Sequence, residues 1–243
     1  MALDPRTATV QGRAAGRAVD IDAGLRAYML RVYNYMALGV AGTGALVLFI
    51  AGSPELLQQV YAVKWLLFFG ILGMGWFSPK ILTMQSTVAA QAYFWVYCAL
   101  WGVMIAPFVA SFLGTQQGMM DVARAFFITA GMFAGASLFG YTTKRDLSVF
   151  GRFFMMATIG LIIAMLVNYF FVQSTMFSFG ISALVVLVFA GITAWETQGI
   201  KQMYYDAPGE VVTKMAVFGA LQLYGSFVVM FVHILSLIGI MRD

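Results

Sequence analysis

Two side chains on which enzymes often rely are almost missing here. There is a single histidine, His233, and a single cysteine, Cys98, in 243 residues. One cysteine forms no internal disulfide, and with no His or Cys cluster around it a zinc site has no ligand set. One histidine leaves no Ser-His-Asp arrangement within reach, and neither a Gly-Lys-Ser/Thr phosphate loop nor an HExxH helix occurs. Charge is scarce as well. Asp, Glu, Lys and Arg together make 10% of the chain, against about 25% in soluble domains. The amino end lacks the short apolar core and small-residue cleavage site of a signal peptide. These absences argue against an enzyme and against a resident cofactor.

What fills the chain instead is apolar. Hydrophobic residues make 62% of it and the mean hydropathy is +0.87, the composition of a multi-pass membrane protein. Apolar runs fall at about Tyr33–Ala51, Tyr61–Phe77, Ala89–Leu113, Val122–Tyr141, Phe150–Phe170, Met176–Trp195 and Met215–Ile240. Turn residues such as Gly52-Ser53-Pro54, Ser78-Pro79 and Ala207-Pro208-Gly209 separate them. Runs of this length cross a bilayer as helices; barrel strands would be about ten residues with strict alternation. The expected fold is therefore all-α, a polytopic membrane protein with seven transmembrane helices. Residues 1–31 form an amino-terminal cytoplasmic arm, its first part disordered and Ala23 to Tyr35 helical along the interface, and residues 32–243 form the transmembrane domain.

The net charge of +4 is spread through loops, not gathered on an aromatic face, so it signals orientation and not nucleic-acid binding. With the amino end inside, five arginines of the arm plus Lys80, Lys144, Arg145, Arg152, Lys201 and Lys214 lie inside. That makes eleven, against three outside: Lys64, Arg124 and Arg242. Positive charge favours the cytoplasm, so the amino end is expected there and the carboxyl end in the periplasm.

Two stretches carry chemistry. Glu196 ends a long apolar run and is the deepest acid that the reading places in a membrane segment. A carboxylate at bilayer depth costs about 2.5–3.5 kcal/mol on insertion scales, so it faces the protein interior or a partner. In the last run Gln222, Ser226 and His233 share one helical face. A polar seam on a membrane helix faces other helices or water, which makes the last helix the central one. Small residues, namely Gly131-x-x-x-Gly135 with Ala134 and Gly140, and Gly39, Gly42 and Gly44, are expected to let helices approach closely. Pro107 is expected to kink the third run.

Trp195-Glu196-Thr197-Gln198-Gly199-Ile200 resembles the acidic-Thr-Gln-x-Ile ending of the sixth helix in the Bax inhibitor-1 family. Ala220-Leu221-Gln222-Leu223-Tyr224-Gly225-Ser226-Phe227 resembles that family's seventh-helix motif, and Leu25-Arg26-Ala27-Tyr28-Met29 through Tyr33-Asn34-Tyr35-Met36 is similar to bacterial members. The resemblance implies a seven-helix fold with the last helix central, no enzymatic activity and, in some members, a pH-sensitive calcium leak. Leak members carry a pair of aspartates that share a proton. Here the first position is Glu196, but the second falls at Ser226, which cannot supply a coupled titration. Glu196, Ser226 and Gln222 are the expected ion-pathway and pH-sensing residues, with calcium as the ion carried and not a cofactor. Ser226 and the ending Ser236-Leu237-Ile238-Gly239 with Arg242-Asp243 look more like the bacterial YccA-type branch. That branch binds and restrains the membrane-anchored AAA+ protease FtsH, which makes FtsH, besides the bilayer, the expected partner.

Reporter fusions at the two termini of the full chain test the orientation. Alkaline phosphatase should be active at the carboxyl end and inactive at the amino end; both ends on one side would remove the seven-span reading.

Overall fold

The computed structural model describes residues 5–205 and 212–242, with side chains from Ala23 onward. Eight α-helices follow one another: α1 (Pro5–Ala51), α2 (Pro54–Phe77), the single turn α3 (Lys80–Thr83), α4 (Thr87–Leu113), α5 (Gln116–Thr142), α6 (Ser148–Val167), α7 (Thr175–Tyr205) and α8 (Val212–Arg242). A π-helical turn, Asn168–Val172, extends α6. Seven of these are long and apolar enough to cross a membrane, and no strand occurs among the described residues.

Local chemistry sets the ends. Ser53 caps α2 by accepting from the Leu56 N–H, and Pro54 occupies the first helical position, where its missing N–H costs nothing. Ser86 caps α4 and Thr115 caps α5 in the same way, accepting from Val88 and Gly118. The turn between α6 and α7 is held by Asn168. Its Oδ1 accepts from the Ser174 N–H at 3.1 Å and its Nδ2 donates to Ser178 Oγ at 2.6 Å, while Gln173 takes a left-handed φ of 51°. Pro107 lies inside α4 and the helix continues through it to Leu113.

Because the connections are short, successive long helices reverse direction. One face of the bundle, here the amino face, carries the start of α8 and the ends of α2, α5 and α7. The other, the carboxyl face, carries the ends of α1, α4 and α8. Helix α8 is central. It packs against α1, α4, α5 and α7, and half of its most apolar stretch is buried, against 11% for α2 and for α6 at the periphery. Phe94 and Tyr97 of α4 meet Tyr224 of α8 edge-to-face, with centroids 6.1 and 6.0 Å apart, in the middle of the core.

Two expectations change. The boundary at residue 31 falls within α1, and Leu25, Tyr28 and Met29 are already in the core, because their helical spacing presents one apolar face to the bundle instead of to the interface. Of residues 1–22, expected as an arm, no side chain is among those described, and the turn Ala207-Pro208-Gly209 also lies outside the described residues. The small-residue stripe of α5 faces the wrong way for packing. Gly131, Ala134 and Gly135 are exposed, and a methyl group at either glycine would meet nothing. Gly42 and Gly44 are likewise open, whereas Gly140 and Gly39 carry the close approaches. A Cβ at Gly140 would collide with the backbone carbonyl of Ala194 in α7, and one at Gly39 would press on Phe94 and Cys98 of α4.

Gly140→Val should therefore destabilise the detergent-solubilised protein by about 1–3 kcal/mol, since helix backbone must shift to admit the side chain. Gly131→Ala should change stability by less than about 0.5 kcal/mol. Thermal unfolding of both variants checks this, and equal losses would contradict the assigned faces.

Candidate functional site: the polar seam between α7 and α8

Helix α7 brings Glu196 to the inner face of the bundle about nine residues before its end at the amino face. There Ser226 of α8, fully buried, donates its hydroxyl to Glu196 Oε2 at 2.8 Å. Glu196 itself is partly buried. Further toward the carboxyl face His233 Nδ1 shares a hydrogen bond of 3.1 Å with Ser182 Oγ of α7. Two of the three polar residues on the α8 face thus meet α7. The third, Gln222, one turn from Ser226 toward the amino face, is partly exposed and hydrogen-bonds to no other described residue.

Small and aromatic neighbours frame the seam. Gly225 precedes Ser226 and leaves room for the Tyr97 ring of α4, whose hydroxyl would lie 3.3 Å from a Cβ there. On the other side of Glu196, Thr197 is completely buried and joins a relay of hydroxyls. Its Oγ1 donates to the Thr193 carbonyl at 2.8 Å and pairs at 3.0 Å with Ser137 of α5, which pairs at 2.6 Å with the Tyr33 hydroxyl of α1. Thr43 of α1 and the Tyr224 hydroxyl pair at 2.6 Å, one donating to the other, and both lie within reach of the Cys98 carbonyl, to which the accepting hydroxyl donates, tying α1 and α4 to α8. Cys98 is buried within this contact.

Two residues after Glu196, Gln198 clasps the turn between α5 and α6. Its Oε1 accepts from the Leu147 N–H and its Nε2 donates to the Arg145 carbonyl, each at 2.8 Å. In the same turn Asp146 accepts from the Ser148 N–H at 2.9 Å, and the Ser148 hydroxyl and N–H hold its carboxyl below the ordinary aspartate range. Lys201 donates to the Tyr141 carbonyl at 2.9 Å and lies over the Tyr141 ring. The acidic-Thr-Gln stretch therefore has divided labour: Glu196 faces α8, Thr197 faces α5 and Gln198 holds the α5–α6 turn.

The family described as "Inhibitor of apoptosis-promoting Bax1" matches residues 25–243, which takes in all seven long helices. The chain belongs to the Bax inhibitor-1 family. A relative from Rickettsia prowazekii is 38% identical over 225 residues, 91% of this chain and 93% of its own. One from Caulobacter vibrioides is 37% identical over 239 residues, 93% of each. The Escherichia coli inner membrane protein YbhL is 32% identical over 223 residues, 89% of this chain and 93% of its own. Like YbhL, then, this Bax inhibitor-1 protein is a membrane protein, and the two family motifs quoted from its sequence are the segments that meet at Glu196 and Ser226.

Among the described residues no group of three His, Cys, Asp or Glu gathers to hold a metal ion. What the seam offers is oxygen: a carboxylate, a hydroxyl and a side-chain amide. Asp121, five residues into α5 from the carboxyl face, is a second buried acid. It is 2% exposed within α5 and bonds Arg124 Nη1 at 3.1 Å, Arg242 Nη1 at 3.4 Å and Gln117 Nε2 at 3.1 Å. The apolar run at Val122 left it in a loop, whereas the Thr115 cap starts the helix six residues earlier. That capping residue was the available signal.

Replacing Gln198 with Leu should cost about 1 kcal/mol and loosen the α5–α6 turn. Trypsin cleavage after Lys144 and Arg145 should then run faster than in the wild type, and an unchanged rate would show that the clasp does not hold the turn.

Proposed function

We propose that this protein is a slow, pH-sensitive cation leak of the bacterial inner membrane, gated where Glu196 meets Ser226. The observation that carries this reading is the 2.8 Å hydrogen bond between them, which joins the family's two motifs across α7 and α8. One turn away on the same face of α8 stands Gln222, whose amide has no partner among the described residues, so that a carboxylate, a hydroxyl and an amide oxygen occur along the seam. Hard cations such as calcium take carboxylate, carbonyl and hydroxyl oxygens, so calcium is the ion that this set suits. A closed gate keeps Ser226 on Glu196. Protonation changes that carboxyl group from an acceptor into an acceptor and donor, and so alters both its charge and its bond to α8. The cytoplasm lies at the amino face, where Lys80, Lys144, Arg145, Arg152, Lys201 and Lys214 collect, and the periplasm at the face of Lys64, Arg124 and Arg242.

The serine also favours a second reading. Without the second carboxylate of the leak members, the seam can serve as a packing device, and the protein then acts by binding FtsH, as the YccA-type resemblance implies. The two readings separate in one assay.

Calcium flux into proteoliposomes should be measurable and pH-dependent for the wild type. Glu196→Gln, which keeps shape and hydrogen bonding but cannot titrate, should flatten the pH profile, and Ser226→Asp should steepen it. Identical profiles for wild type and Glu196→Gln would refute the gate. No flux at all, with FtsH recovered by affinity capture and its substrate turnover slowed, would favour the binding role.

A further inference from the structure

At the carboxyl face, α5 and α8 leave a surface groove of about 490 Å³ lined by Met120, Ala123, Phe127, Ile128, Ile238 and the stem of Arg124. Apart from that arginine its walls are apolar, and Phe127 and Met120 are 71% and 51% exposed. Among the described residues the charges at its mouth do not balance. Arg124 and Arg242 share the single carboxylate of Asp121, each through one Nη1 atom, and their side chains remain 55% and 41% exposed. A guanidinium has five N–H donors in a fixed fork, so both retain donors for another anion. Among the described residues one negative charge thus faces two positive ones at this spot.

Its depth suits a headgroup. Arg242 is the last residue of α8, and Arg124 stands two turns inside α5, with a stem long enough to reach the membrane surface. We propose that this groove holds an acyl chain of an anionic phospholipid whose phosphate lies against Arg124 and Arg242. The apolar wall takes the chain, and the paired guanidinium groups, held in place by buried Asp121, take the phosphodiester. Guanidinium forks match phosphate oxygens bidentately, which a lone ammonium does not. The site lies on the outside of the bundle at the face away from Glu196, so it stands whether or not the leak reading does.

Native mass spectrometry of the full chain released from phosphatidylcholine nanodiscs with a minor fraction of phosphatidylglycerol tests this. The wild type should retain phosphatidylglycerol enriched about fivefold or more over its share of the disc, the scale of one arginine near a membrane surface. Ala123→Trp, which fills the groove and leaves every charge in place, should abolish the enrichment. Arg152→Gln, exposed on α6 at the opposite face, should leave it unchanged. Retention by the wild type in proportion to the disc composition would overturn the proposal. So would equal enrichment in the wild type and Ala123→Trp, because annular charge attraction alone would then explain it.

Discussion

Hydrocarbon offers no hydrogen-bond partner, so a polar side chain on a membrane helix must find one inside the protein. This constraint organises the bundle around α8. Its polar residues form rungs to the surrounding helices: Tyr224 to Thr43 and the Cys98 carbonyl, Ser226 to Glu196, and His233 to Ser182. Each rung is worth only about 0.6 kcal/mol on average in membranes, up to about 1.7. Their effect lies in register, because a rotation or slide of α8 would break several at once and leave buried polar groups unpaired. Close packing supplies the rest, with Gly140 against Ala194 and Gly39 against Phe94 where backbone and ring leave no space for a Cβ.

The seam is the least regular part of this scheme. Glu196 is only partly covered, and Gln222 beside it makes no bond to another described residue, whereas Thr197 and Gln198 on the same turn are fully engaged. Polar groups left short of partners in a membrane core mark a place where something else binds or moves. The family motif thus combines a fixed part, which anchors α7 to α5 and to the α5–α6 turn, with one acid bonded to α8 through a single hydroxyl.

Much of this was legible in the sequence. Seven apolar runs gave the helices because length and hydropathy suffice for that, and the shared face of Ser226 and His233 identified the side of α8 that meets α7. Periodicity names a face but not its neighbour. Gly131 and Gly135 form a small-residue pattern that the fold turns outward, while isolated Gly140 does the packing. Asp121 escaped because hydropathy marks where apolar residues begin and not where the helix does. Of its two arginines, Arg124 stands three residues on in the same helix, but Arg242, at a distant helix end, leaves no local trace. The core residues Leu25, Tyr28 and Met29 were assigned to an interfacial segment for a related reason: an amphipathic face fits a bilayer surface as well as a bundle.

The central claim is that Glu196 and Ser226 act as one contact between α7 and α8. A double-mutant cycle on the unfolding of the reconstituted protein, with Glu196→Ala, Ser226→Ala and the pair, measures it directly. The account predicts a coupling of about 1 kcal/mol or more, near the upper range for such bonds in membranes. Effects that add within about 0.3 kcal/mol would contradict it, since the two residues would then be neighbours without a shared interaction.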